Sequence, residues 1–323
     1  MTSDSHGVKR SFSELSSPPS NHERSLSPLT DLSPDEEPGK KITSSTPTSS
    51  SSKSKKLRLA YTYATSSPFP NHSHPTPTEA QEVHTLLIQE HRELSSIRKP
   101  PSETANSATT CGSVPNVLDS LIGTILSQST SAANSTRAKR DLDTMFGRHN
   151  FAAIAEAPQE QVYEALKHGG LAQKKSKTIQ AILRAVHAKH GSYSLQHLAS
   201  PGMTNMDIMQ ELQSYDGVGP KTASCVLLFS LGRESFAVDT HVYRLSRLLG
   251  WVPKKSDRVT AQAHLDVKIP GRLKYGLHVL MVHHGRSCKG CKGSGANGDC
   301  VLKTWLRDTR GDHGEIKAKE EGT

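Results

Sequence analysis

A chain of 323 residues is long enough for two ordinary domains, yet only 33% of it is hydrophobic and its mean hydropathy is -0.55. That is too little apolar surface to fold the whole chain, so part of it is expected to stay disordered. A net charge of +9 suits a polyanionic partner. The absence of any apolar run of about 18 residues, and of an apolar core near the N-terminus, argues against a membrane or secreted protein.

Taken in chain order, residues 1–77 are rich in Ser, Thr and Pro, bury too little to offset ordering entropy, and are read as a disordered tail. Within it, Ser17, Ser27, Ser33, Thr46 and Ser67 each precede a Pro, the pattern of a proline-directed phosphorylation site. Lys53, Lys55, Lys56 and Arg58 form a basic cluster that suits a nuclear address. A mitochondrial presequence fits less well, because Asp4 and Glu14 interrupt the start. Residues 78–116 hold a short helix, marked by Val83, Leu86 and Leu87 with His91 at the same spacing, and then a linker through Pro100 and Pro101. From 117 to 305 the periodicity is helical throughout. Leu118, Leu121, Ile122, Ile125 and Leu126 give a strongly apolar face, and further amphipathic stretches cover 151–154, 162–166 and 179–186. The expected fold is all-α, a two-lobed helical domain of many short helices, with 306–323 as a charged, frayed tail.

The most informative stretch reads helix, tight turn, helix. Gly217 and Gly219 flank Val218, so the turn can take positive φ and approach another molecule with bare backbone while Val218 anchors it. Pro220 suits the first turn of the next helix. The unpaired N–H groups there are suited to gripping a DNA phosphate without reading sequence. Lys221 follows at once, and both the helix dipole and burial are expected to favour its neutral, nucleophilic amine. Asp239 lies just beyond the second helix, where its carboxylate can stabilise positive charge or move a proton.

These residues resemble the endonuclease III family of DNA glycosylases, over roughly residues 117–300. Leu212 to Ala223 is similar to the family hairpin, with Lys221 at the position of the catalytic Lys and Thr222 following it. Val238, Asp239, Thr240 and His241 are similar to the family's Val-Asp-Thr-His, with Asp239 at the position of the catalytic Asp. Ile125 to Thr130 resembles the helix end whose Gln enters the duplex where a base has been flipped, a role this implies for Gln128. Gly170, Leu171 and Lys174 to Lys177 resemble the segment supporting the minor-groove side. The resemblance implies a bifunctional DNA glycosylase and abasic-site lyase, with Lys221 forming a Schiff base at the sugar, that flips the damaged base out of the stack and acts as a monomer on double-stranded DNA with base damage or abasic sites. It also implies DNA contacts from Gln128, Gly217, Val218, Gly219, Thr222 and His241. The family's acidic residue after Thr130 is here Ser131, which leaves the preferred base open. Monofunctional excision by activated water, and a non-catalytic hairpin grip on DNA, remain alternatives.

The resemblance further implies a [4Fe-4S] cluster, held in the family by four cysteines spaced C-x6-C-x2-C-x5-C. This chain offers three, spaced Cys288-x2-Cys291-x8-Cys300, behind a family-like His284, Gly285 and Arg286. Crowded cysteines in a chain of this size point to a reduced compartment rather than a disulfide framework. A degenerate [4Fe-4S] site with His283, His284 or Asp299 as fourth ligand, a zinc site, and no metal are all open readings. The chemistry itself requires no cofactor. Cys225 reads as a buried packing residue, and Cys111 has no readable role.

Overall fold

A computed structural model describes residues 66–291 and 298–309. The tail up to residue 65 with its basic cluster and most of its Ser-Pro and Thr-Pro pairs, the Gly-rich stretch 292–297, and residues 310–323 lie outside the described residues.

Among the described residues, α-helices follow in order: α1 (Pro77–Glu90), α2 (Val117–Ser127), α3 (Ala132–Phe146), α4 (Phe151–Glu156), α5 (Gln159–Leu166), α6 (Ala172–His190), α7 (Asn205–Ser214), α8 (Pro220–Cys225), α9 (Thr240–Leu248), α10 (Arg258–Lys268) and α11 (Gly271–Ser287), with α12 over residues 301–309. No strand occurs among the described residues, as the periodicity predicts. Polar caps set the boundaries. Thr76 and Glu79 close a capping box on α1 with Pro77 at its first position, Thr204 and Asp207 do the same on α7, and Asn116 caps α2.

Two hydrophobic cores divide the helices. One is built from α2 to α8, with Leu121, Ile125, Leu142, Ile179 and Leu212 at its centre. The other combines α1 with α9 to α11 and the C-terminal segment, around Leu87, Trp251, Leu277 and Met281. Among the described residues, the first and last helices therefore share one lobe and the middle of the chain builds the other. Helix α2 is buried on every side from Val117 to Leu126, and its Asp119 is partnered at 3.0 Å by the equally buried Lys139, which offsets the desolvation of both. A third small cluster of Cys225, Leu228, Phe229 and Ala237, with Cys111, Tyr275 and Val279 against it, lies between the two cores.

Two predicted boundaries move. Residues 66–76, assigned to the disordered tail, are tied down: Ser67 Oγ lies 2.6 Å from His264 Nδ1, His72 Nε2 donates to Gly250 O at 3.0 Å, and His264 Nε2 donates to His74 O at 2.6 Å. Polar contacts between residues nearly 200 positions apart hold this segment, which a count of apolar residues cannot register. At the other end α12 carries the fold past 306 to 309, because Trp305 and Leu306 pack on the second core.

Candidate active site at the junction of the lobes

Helix α7 ends at Ser214, and Tyr215 O accepts the Val218 N–H at 3.2 Å to close the turn. Gly217 has φ +88, and a Cβ there would lie 2.5 Å from Thr178 Cγ2 of α6, so both conformation and space demand glycine. Val218 is buried, anchoring the turn in the first core. Gly219 differs: a Cβ would meet nothing within 4 Å. It serves as N-cap of α8 without any side-chain cap, leaving the first N–H groups of that helix unsatisfied by the fold. Helix α8 continues directly into a π-helical turn, Val226–Ser230.

Lys221 projects from α8 into the cluster between the cores, beside the Cys225 sulfur one turn along. Burial is the largest influence and pulls its pKa down, while the neighbouring Cys225, Cys111 and the Asp239 carboxylate pull it up, and the net direction is upward. This is opposite to the direction expected from burial and the helix dipole alone. Asp239 caps α9 from the other lobe, its Oδ1 accepting the N–H groups of His241 and Val242, both at 2.8 Å. These two bonds fix the carboxylate and leave Oδ2 without a hydrogen-bond partner among the described residues. His278 of α11 completes the junction. It is buried, donates Nδ1–H to Ala237 O at 2.8 Å, and is driven down to about 4 by desolvation, with Lys221 and Arg286 adding to burial against the pull of Asp239.

Gln128 caps α2, and its Nε2 donates to Thr222 Oγ1 at 2.9 Å, joining the two segments 94 residues apart. The loop carrying it is held from beneath by buried Lys175, whose Nζ donates to Leu126 O at 2.7 Å, to Gly169 O at 3.0 Å and to Thr130 Oγ1. Burial lowers Lys175 to about 8. Gly170 (φ +62) and Leu171 (φ +54) run beside this loop, and Leu171 is 56% exposed, unusual for a large apolar side chain in a left-handed conformation. Ser131 spends its hydroxyl on capping α3, accepting the Asn134 N–H at 3.2 Å.

The structure thus brings together Lys221, Asp239, Thr222, Gln128 and the Gly217–Gly219 turn. His241 joins them through its backbone, but its ring lies against Gly285 of α11, where a Cβ would come within 2.7 Å of His241 Cβ. Cys288, Cys291 and Cys300 converge elsewhere, with His284. Cys300 is brought down to about 3, chiefly by its hydrogen bond with Cys291, with His284 and the N–H groups of Lys303 and Leu302 assisting against burial. Sequence reasoning missed Cys111, Cys225 and His278 as parts of the junction. Only Cys225 carried a signal, its four-residue spacing from Lys221 on one helix face.

A family model described as HhH-GPD superfamily base excision DNA repair protein matches residues 122–270. An endonuclease III of Thermotoga maritima is 33% identical over 170 residues, covering 52% of this chain and 73% of that protein. A protein of Arabidopsis thaliana named as a DNA glycosylase is 41% identical over 177 residues, 55% of this chain and 59% of its own length, so the chain spans less than two thirds of that relative. Among solved structures, an endonuclease III in a non-covalent complex with DNA superposes with a TM-score of 0.55 at 20% identity, covering 74% of this chain and 98% of that one. At that identity the likeness is one of fold.

Proposed function

Given that the chain belongs to the endonuclease III family of DNA glycosylases, we propose that it is a bifunctional glycosylase and abasic-site lyase with Lys221 as nucleophile and Asp239 as its carboxylate partner. The observation that carries this reading is the proximity of Lys221 from one lobe to Asp239 from the other, beside the open backbone of Gly219; a flipped nucleotide is proposed to be held there.

The chemistry follows from the protonation states. The Lys221 ammonium first gives up a proton, for which the free Oδ2 of Asp239 is the available acceptor. Its lone pair then forms a bond to the sugar C1′ while the C1′–N bond breaks, the departing base keeping that electron pair and taking up a proton. Opening of the sugar ring at C1′–O4′ yields a Schiff base. Loss of a C2′ proton then expels the 3′ phosphate by β-elimination. Asp239, immobilised by two backbone N–H groups, offsets the positive charge that develops at the sugar. In this reading Gln128 and the exposed Leu171 fill the space the flipped nucleotide leaves, while the hairpin N–H groups hold phosphate. The partner is double-stranded DNA carrying a damaged base or an abasic site. The basic cluster at residues 53–58 supports a nuclear location.

One observation favours a second route. A Lys221 held as an ammonium suits phosphate binding, with Asp239 activating water and no covalent intermediate. Borohydride trapping on duplexes carrying oxidised pyrimidines, oxidised purines, mismatches and abasic sites separates the two. The proposal expects a covalent adduct that Lys221→Ala loses. Free base without an adduct selects the water route, and neither product from any duplex overturns both.

A further inference from the structure

The iron–sulfur cluster implied by the family needs four ligands spread around a cube of irons and sulfides, which places an iron–iron edge between any two of them. The side chains at the end of α11 do not offer that spread. His284 Nε2 and the sulfurs of Cys288, Cys291 and Cys300 all lie within 4.8 Å of one another. Cys291 and Cys300 sulfurs are 3.0 Å apart, and His284 Nε2 is 3.4 Å from Cys291 Sγ and 3.5 Å from Cys300 Sγ. Around a single tetrahedral ion with bonds of about 2.0–2.3 Å, ligand atoms sit about 3.6–3.8 Å apart. The two His284 separations suit one ion, the Cys291–Cys300 pair must open by about 0.7 Å to share it, and the set is far too tight for a four-iron cube.

The backbone is arranged for the same purpose. His284 and Cys288 stand one turn apart at the end of α11, with Cys288 as its C-cap. A tight turn then returns Cys291, whose N–H donates to Cys288 O at 3.3 Å. Gly290 lets the returning chain close in, since a Cβ there would lie 2.7 Å from Gly298 O and 2.9 Å from Cys300 Cβ. Cys300 enters just ahead of α12. Behind the ligands, His284 Nδ1 is 2.8 Å from His91 Nε2, both rings being buried. If Nε2 of His284 binds a metal, its proton must sit on Nδ1 and be donated to His91, the outer partner that ligating histidines usually have. His91 in turn presents Nδ1 to Glu93 at 3.7 Å. His283, the neighbouring candidate, faces Glu93 at 3.3 Å instead.

We infer that His284, Cys288, Cys291 and Cys300 bind one zinc ion tetrahedrally, replacing the iron–sulfur cluster of the family. Three soft thiolates and an imidazole in a closed set of four are the donor chemistry of structural zinc. Such a site leaves no position for a reacting molecule, so its work is to tie α12 and, through His91, the end of α1 to α11. Gly285, next to the ligand His284, is the residue against which His241 packs beside Asp239, so the ion also steadies the start of α9.

The full chain, produced with both iron and zinc supplied and purified without oxygen, tests this independently of base excision. Elemental analysis should give one zinc per chain with no acid-labile sulfide and no broad brown absorption. Cobalt exchanged into the site should show the intense visible bands of a tetrahedral, thiolate-rich ion. His91→Ala, which removes no ligand, should weaken zinc binding about 10–100-fold, and His284→Ala should abolish it. If the variants fail to fold, the wild-type stoichiometry and the cobalt spectrum stand on their own. Iron with sulfide overturns the inference, as do octahedral cobalt bands, a chain that takes up no zinc, and a Cys291–Cys300 disulfide.

Discussion

Lys221 and Cys225 share one face of the second hairpin helix, and the groups around the amine shift its pKa upward, which under the proposed mechanism opposes attack by keeping it protonated. A nucleophile with a raised pKa works only in its deprotonated fraction, so single-turnover strand cleavage should rise as pH climbs above neutrality. Replacing Cys225 by Ala removes the sulfur that takes part in the pKa-raising contact with the amine, the thiol itself being pushed up and kept neutral by burial. The Cys225→Ala profile should therefore shift to lower pH, and an unshifted profile would mean that Lys221 does not set the rate. Lys221 and Asp239 could be singled out as candidates from the sequence because each sits in a short local pattern. The protonation state was not. Burial and the helix dipole both argue for a neutral amine, while the influences that reverse them come from Cys111, 110 positions earlier, and from Asp239 in the other lobe. Such contacts exist only once the chain has folded.

At the scale of the element, the hairpin uses its two glycines for different ends, and they should respond differently to the same substitution. Gly217→Ala forces a side chain into φ +88 and against Thr178, which should cost about 2–4 kcal/mol in urea unfolding. Gly219 has φ -100 and ψ 175, ordinary extended backbone facing open space. Its Ala variant should unfold within about 0.5 kcal/mol of wild type, yet bind a duplex containing an abasic analogue more weakly, because the methyl group occupies the approach to the helix N–H groups. Equal affinity in fluorescence anisotropy would remove the hairpin from the DNA contact. That this turn was a hairpin could be read from Gly217, Val218, Gly219 and Pro220 alone. The π-helical turn that follows could not be, since Val226–Ser230 carries no residue that distinguishes it from α-helix. Gln128 was legible only as the end of an apolar helix, and its bond to Thr222 is a product of how α2 and α8 pack.

At the scale of the described molecule, the proposed reactive groups Lys221 and Asp239 lie where two cores meet, and this has a consequence for its response to acid. His278 is buried at that junction, with its Nδ1–H spent on Ala237 O; burial and the Lys221 charge hold its pKa at about 4, against 6.5 for the free side chain. Between those values the unfolded chain takes up a proton that the folded chain refuses. Folding stability should therefore rise with pH from about 4 to about 6.5 and be lost as pH falls through the same window, by up to about 3 kcal/mol from this residue. His84, His91 and His264 are lowered as well, so wild-type acid sensitivity alone does not isolate His278. The difference between wild type and His278→Gln does. Glutamine keeps a donor for Ala237 O without an ionisable ring, and denaturant midpoints of the two proteins measured across this window should diverge near pH 6.5 and converge toward pH 4. Parallel curves would place the acid-sensitive group outside the junction and remove His278 from the contacts that hold the lobes in their working arrangement.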